Sequence, residues 1–323
     1  MSTLSTPLLF RPVYKDYIWG TETWQIAAHP DGDSEVIHLP PPAPTPEGGT
    51  LSSLAARFGA ALTGTRAPDP TRFPLLFKII DARQRLSVQV HPSNATAALT
   101  NGEPKTEMWY VLGAGRATAS PPSRQDSTLY AGLREGVTPD TLRAALANGT
   151  AEQCLVKIPA EPGQSLFIPG GLVHAIGEGC LIYEVQQNSN TTYRLYDWNR
   201  TDAHGKPRPL HIEESFKVID WTSQPPRMTA PAVTRTTLGA TWADVLSCDY
   251  FNIRKLTLSA QEFIPVDGTS FHALFIERGS AIIEAGGTAH TLTAGMSCLI
   301  PAAAKHYALS PLADHATLLL TTL

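Results

Sequence analysis

The chain has 323 residues, more than one compact core usually needs, so two β-rich units are the first expectation. A hydrophobic fraction of 42% and a charged fraction of 17% fit a folded globular protein and exclude a disordered one. The net charge of -4 gives no general reason to bind nucleic acid or an acidic membrane surface, and no apolar run is long enough to span a bilayer.

The N-terminus, MSTLSTPLLFRPVYKD, has no basic start followed by a long apolar stretch, so no signal peptide is expected. Three segments read as helix: Thr50–Leu62, Thr138–Leu146 with Thr138 as cap and Pro139 at the first helical position, and Ile212–Asp220. The expected strands are Leu75–Ile80, Leu86–His91, Glu107–Leu112, Ser165–Ile168, Leu181–Val185, Tyr193–Tyr196, Phe251–Leu256, Ala273–Glu277, Ala281–Glu284 and Ser297–Ile300. None contains proline. The segment LPPPAPTP, from Leu39 to Pro46, reads as a surface loop. SQPPRMTAP, from Ser223 to Pro231, reads as a linker. The expected division is a catalytic domain over 1–227 with helical insertions and a C-terminal domain over 228–323.

Four cysteines, Cys154, Cys180, Cys248 and Cys298, stand far apart with no CxxC pair. They read as buried free thiols of a cytoplasmic protein. No GxxxxGK[ST] or GxGxxG loop occurs, so a nucleotide phosphate cradle is not expected.

In LSVQVH, read as a strand, Leu86, Val88 and Val90 point one way, and Ser87, Gln89 and His91 the other. In KTEMWYVL, Lys105 and Glu107 share a face, with Trp109 beside them. In FIPGGLVHAIG, a Pro-Gly-Gly turn delivers His174 to the next strand. Gln89, His91, Glu107 and His174 together offer an amide oxygen, a carboxylate and two imidazoles, a set suited to one divalent ion, zinc first. With one charged ligand, such a site keeps about one unit of positive charge and is a good Lewis acid.

These segments resemble the type I mannose-6-phosphate isomerases, in their shorter bacterial form. The resemblance covers most of the first 220 residues: YIWGTETW, AAHPDGDSEV, PLLFKIIDARQRLSVQVHPSN, KTEMWYVL, PGQSLFIPGGLVHAIGEG, LIYEVQQNSNTTYRLYDWNR and GKPRPLHIEES, in that order. It implies a mainly β fold with two cupin (jelly-roll) halves and a few short helices. It implies zinc, one ion per chain, on Gln89, His91, Glu107 and His174. Lys105, Glu184 and Arg194 then lie in the substrate pocket as catalytic residues, and Ser87 and Arg200 as substrate-binding ones.

Two departures stand out. Pro104 takes the place of a histidine in the longer members, and Arg200 the place of a lysine. The implied reaction interconverts mannose 6-phosphate and fructose 6-phosphate through an enediol(ate). Glu184 is the first choice of base, Lys105 an acid/base or binding group, and Arg194 a grip on phosphate or enediolate. Arg200 and Lys206 are further phosphate candidates.

Read without the resemblance, Glu184 and Arg194 make a structural ion pair on adjacent strands. Trp109, Tyr196 and Trp198 read as core aromatics, and Trp19, Glu22 and Trp24 as structural. Three alternatives stay open: an isomerase for another phosphosugar, a non-catalytic sugar-binding or regulatory cupin, and a cupin dioxygenase. Dioxygenases of that type carry HxH on the first strand, where this chain has QxH. His272 and His306 fall near the places of Glu107 and His174, hinting at a duplication. With no visible counterpart of Gln89 and His91, the C-terminal domain is expected to lack metal.

Overall fold

The computed structural model describes residues 4–38, 49–115, 127–201 and 204–323. The expected loop from Leu39 to Pro46 lies outside them. The chain divides into two compact units. Unit 1 holds Met1–Val13, Trp24–Phe77 and Ala230–Leu323; unit 2 holds Tyr14–Thr23 and Lys78–Thr229. No helix among the described residues is long and apolar enough to cross a membrane.

Six strands open the chain: β1 (Leu8–Arg11), β2 (Val13–Tyr17), β3 (Gly20–Ile26), β4 (Ala28–His29), β5 (Gly32–Asp33) and β6 (Glu35–His38). The helix expected over Thr50–Leu62 is two pieces, α1 (Leu51–Phe58) and α2 (Ala60–Thr63). Thr50 starts it with a capping box to Ser53, and Gly59, at φ +53, breaks it.

Unit 2 continues with β7 (Leu75–Ala82), β8 (Val88–Val90), β9 (Glu107–Ala114), β10 (Thr128–Leu133), β11 (Leu155–Pro159), β12 (Ser165–Ile168), β13 (His174–Ile176), β14 (Cys180–Gln187) and β15 (Tyr193–Tyr196). Between β10 and β11 lies α3 (Pro139–Ala147), capped by Thr138 with Pro139 at its first position; α4 (Ile212–Val218) follows β15. Unit 1 then adds β16 (Ala232–Thr236), β17 (Ala240–Ser247), β18 (Asn252–Leu258), β19 (Glu262–Pro265), β20 (His272–Arg278), β21 (Ser280–Ala285), β22 (Thr288–Thr293), β23 (Ser297–Ile300), β24 (His306–Pro311) and β25 (Ala316–Thr322). Three strands that the sequence did not disclose, β11, β19 and β24, end on a proline, which a strand tolerates only at its margin.

The two units repeat one plan strand for strand. In unit 2 a sheet ordered β12-β9-β14-β7-β3-β2 faces one ordered β11-β10-β13-β8-β15. In unit 1 the corresponding orders are β23-β20-β25-β18-β17-β16, extended beyond β23 by β1 and β6, and β22-β21-β24-β19. Both are antiparallel double-sheet jelly rolls, as expected. Among the described residues, β15 of unit 2 has no counterpart in unit 1, and β1 and β6 of unit 1 have none in unit 2. The duplication hinted at by two histidines therefore extends over whole barrels.

Each barrel is filled by side chains from its strands. In unit 1, Trp242, Leu256, Leu274, Ile283, Leu309 and Leu318 belong to one buried cluster. Unit 2 has two. Trp109, Val111, Leu129, Leu166, Ile176 and Ile182 form one cluster. Val88, Val90, Tyr130, Leu195, Leu142 of α3 and Val218 of α4 form the other. The strand expected over Leu86–His91 shortens to Val88–Val90, and its apolar residues separate: Leu86 joins the first cluster, Val88 and Val90 the second. Leu86 lies outside the strand, its N–H donating to Ile176 O at 2.8 Å, so the two-residue alternation does not reach it.

Candidate metal centre and active site

The valines of β8 turn to the helices, so Gln89 between them turns to the cavity of unit 2. Cross-strand pairing places Gln89 opposite both His174 of β13 and Arg194 of β15. Just beyond β8, Gly171 N–H donates to His91 O at 2.8 Å, tying the Pro-Gly-Gly turn to that histidine. Gly170 has to be glycine, because a Cβ there would meet Ser93 Cα at 2.7 Å. Lys105 N–H donates to Pro92 O at 2.9 Å, which brings the KTE segment alongside.

The result is a buried cluster of His91, Glu107 and His174, exposed by 1%, 0% and 0%. Both imidazoles donate from Nδ1 to a backbone carbonyl at 2.8 Å, His91 to Thr191 O and His174 to Leu172 O. A carbonyl only accepts, so the Nδ1 proton is fixed in each ring. Burial first, then the Lys105 charge, pushes the His91 pKa down to about 3. Burial also lowers that of His174. Both rings are therefore neutral at pH 7, and each Nε2 carries a lone pair.

Those two nitrogens face each other at 3.2 Å, and each lies 3.5 Å from a Glu107 oxygen. Burial alone would raise the Glu107 carboxyl, but Lys105, with Nζ 3.0 Å from Oε2, and the imidazoles hold it well below the usual range. Neither Glu107 oxygen accepts a hydrogen bond among the described residues. Lone pairs turned on one another in a dry interior cost free energy that a cation would relieve, so these residues fit a metal ion. Gln89 Nε2 lies 3.3 Å from His174 Nε2. The two ends of an amide are nearly indistinguishable in shape, and half a turn brings Oε1 to the same place.

Beside the cluster is a cavity of about 260 Å³. Ser87, Gln89, Lys105, Glu184 and Arg194, all singled out in the sequence, line it. So do Lys78, Glu22, Trp19, Tyr17 and Arg208, which were not assigned to it. Trp24, by contrast, packs in a small core with Ala27 and Leu76. The Glu184–Arg194 ion pair that the residues suggest when read without the resemblance is not present among the described residues; the two belong to different sheets, on strands that are not adjacent. Glu184 instead lies 3.0 Å from Lys78 Nζ and accepts from Trp109 Nε1 at 3.0 Å. Burial first, then Glu107, raises its pKa, with Lys78 and Lys105 opposing. Lys78 is also buried. Burial works against its charge, but Glu184 and Glu22 outweigh that and raise its pKa, so it is an ammonium at neutral pH.

Arg194 Nη1 donates to Pro209 O at 2.7 Å. Arg200 does not line this cavity. It pairs with Asp197, which also receives Arg208 through two bonds of 2.8 and 2.6 Å. Arg208 is the member of that trio on the cavity wall, and Lys206 is exposed and off it. Trp198 Nε1 donates to Leu86 O and Tyr196 OH to Gly149 O, so these aromatics brace the wall from behind.

Residues 15–110 match the family model for the phosphomannose isomerase type I catalytic domain, and residues 243–315 that for the mannose-6-phosphate isomerase cupin domain. The mannose-6-phosphate isomerase ManA of Bacillus subtilis is 38% identical over 271 residues, which are 78% of this chain and 80% of that protein. The crystal structure of the mannose 6-phosphate isomerase from Bacillus subtilis superimposes with a TM-score of 0.84 at 25% identity, over 99% of this chain and 100% of that one. At the level of fold alone, a mannose 6-phosphate isomerase solved with zinc and yttrium gives a TM-score of 0.69 at 17% identity, over 99% of this chain and 100% of that one. A jelly-roll repeat, a metal-fitting cluster beside a basic cavity and these likenesses lead to one conclusion: the chain belongs to the type I phosphomannose isomerase family.

Proposed function

We propose that the chain interconverts mannose 6-phosphate and fructose 6-phosphate, with one zinc ion per chain held by Gln89, His91, Glu107 and His174. The observation that carries the metal is the pair of Nδ1-anchored imidazoles whose Nε2 atoms face each other beside a carboxylate without a hydrogen bond. The names of the relatives support the substrate, and the zinc of a solved neighbour supports the choice of ion. When bound, the ion supplies Lewis-acid stabilisation of negative charge on a substrate oxygen.

This chain's own residues do the rest. The isomerisation takes the proton from C2 of the open-chain aldose, passes through an enediol(ate) and returns a proton to C1. The hydroxyl proton leaves O2, and O1 gains one. Glu184 is the base: burial brings its carboxyl toward the neutral range, and Trp109 fixes its orientation. Lys105, on the cavity wall 3.0 Å from Glu107, moves the oxygen protons. Arg194 grips the phosphate with its planar fork, and Ser87 binds the sugar. Arg200 acts on the phosphate only through Asp197 and Arg208. Catalysis is thus assigned within the 1–227 segment, and the 228–323 segment carries no metal. Four free cysteines, three of them buried, suit a cytoplasmic setting.

The test follows fructose 6-phosphate formation from mannose 6-phosphate before chelation, after it and after zinc restoration. Turnover lost with the metal and regained with zinc is expected. No turnover by folded, zinc-loaded protein would overturn the reaction. Turnover after complete metal removal would overturn the metal's role.

A further inference from the structure

The strand-for-strand repeat lets the cup of the second barrel be compared with the catalytic one by register. Ile168 pairs with Glu107 across β12 and β9, and Ile300 with His272 across β23 and β20. Six residues after each isoleucine stands a histidine, His174 and His306. His174 faces Gln89, and His306 faces Pro265. Two residues beyond Gln89 is His91; two beyond Pro265 is Asp267. The places of Gln89, His91, Glu107 and His174 are therefore taken by Pro265, Asp267, His272 and His306; the two histidines were legible in the sequence, and Pro265 and Asp267 were not.

These residues are engaged differently. Asp267 Oδ1 accepts from Thr269 N–H at 2.8 Å and from its hydroxyl at 2.6 Å. His272 Nδ1 lies 3.0 Å from the Tyr307 hydroxyl, and His306 is exposed. Among the described residues they form no metal-holding group.

The cup itself persists as a cavity of about 310 Å³, against about 260 Å³ for the catalytic one. Arg66, Arg235 and Arg254 line it, with Asn252 and Trp242; Asp267 is the one carboxylate side chain on its wall. Arg235 lies over the Trp242 ring at 4.6 Å. Its closest carboxylate contact is Glu262 at 3.4 Å, and that of Arg254 is Asp244 at 3.6 Å. Both distances are long for charge-assisted bonds, so donors are left over. Arg66 makes no ion pair among the described residues. Three permanent positive charges against the Asp267 side chain and the α-carboxylate of Leu323, which also lines the cavity, leave the concave wall net positive, a receptor for an anion, and guanidinium forks match phosphate oxygens.

We propose that this second cup binds a small phosphorylated metabolite of sugar-phosphate size, without a metal. The site is separate from the proposed chemistry. Its test uses the zinc-loaded full chain and glucitol 6-phosphate, a polyol phosphate with no carbonyl to isomerise, in equilibrium dialysis. The expected stoichiometry is two per chain. Arg66→Ala/Arg254→Ala should weaken one of the two sites about tenfold or more while isomerase activity stays. Arg194→Ala should weaken the other. If the double variant loses activity, Arg254→Gln alone is used and the same loss at one site is expected. A single site in the unaltered protein would overturn the proposal, as would two sites indifferent to the arginine changes. Displacement of the second ligand by citrate at equal affinity would overturn the phosphate assignment.

Discussion

Replacing Lys78 by methionine removes one charge from the wall of the unit 2 cavity and keeps most of the side-chain volume. Lys78 and Glu184 are each 3% exposed and 3.0 Å apart, with Glu22 at 3.6 Å from the same ammonium. Losing one partner of a buried pair costs about 3–5 kcal/mol, because the other charge is left without compensation. Glu184 escapes part of that cost by binding a proton. Its pKa is already raised by burial, and the Lys78 charge does most to hold it down, so Lys78→Met raises it further. The sign follows from linkage. A carboxyl with a folded pKa above its unfolded value destabilises the fold fully above the folded pKa. The penalty shrinks as pH falls through the folded pKa and vanishes below the unfolded one. Urea unfolding of the variant should therefore show a stability deficit that is larger at pH 8 than at pH 5. The acidic limb of kcat/KM should move to higher pH, with mutant and parent compared at equal zinc content. A variant with parental stability at both pH values and an unmoved acidic limb would refute the coupling of Lys78 to Glu184.

Arg208→Met removes the guanidinium that the Asp197 carboxylate presents to the cavity. Charge-assisted hydrogen bonds of about 1.5–3 kcal/mol should then be lost from substrate binding, raising KM about 10- to 100-fold with a smaller change in kcat. Steady-state kinetics with an unchanged KM would remove Arg208 from the proposed phosphate contacts. Gly20 holds φ at +143°, and a Cβ there would sit 2.0 Å from the Asp81 carbonyl oxygen. Gly20→Ala should cost at least about 2 kcal/mol in denaturant unfolding; an unshifted midpoint would show that the β2–β3 turn yields at no cost.

The metal-fitting cluster was legible because its signals are local. A polar row alternating with valines, a KxE segment and a Pro-Gly-Gly turn before a histidine are each written within a few residues. What was hidden depends on pairing between distant segments. Lys78 sits in an apolar strand and reads as an interruption; only the packing of β7 beside β14 makes it the partner of Glu184. Glu22 and Trp19 lie some sixty residues before the nearest site motif; β3 brings Glu22 to the wall through the same sheet, and the turn just before β3 brings Trp19. The sequence pointed to Arg200 and Lys206 and passed over Arg208; Asp197 holds both arginines, and Arg208 is the one on the cavity wall. The helix over Thr50–Leu62 had the right apolar spacing, and the backbone of Gly59 divided it. The second barrel kept the register of the first while changing three of the four residues at the places of Gln89, His91, Glu107 and His174, so residue identity concealed part of what hydrogen-bond pairing preserved.

The central claim is that His91, Glu107, His174 and Gln89 form one metal centre. A crystal of the zinc-loaded protein, measured on both sides of the zinc absorption edge, tests it most directly. One anomalous peak per chain is expected, bounded by the two Nε2 atoms, the Glu107 carboxylate and the Gln89 amide oxygen. A zinc-loaded, catalytically active crystal with no peak there, or with its peak elsewhere, would contradict it.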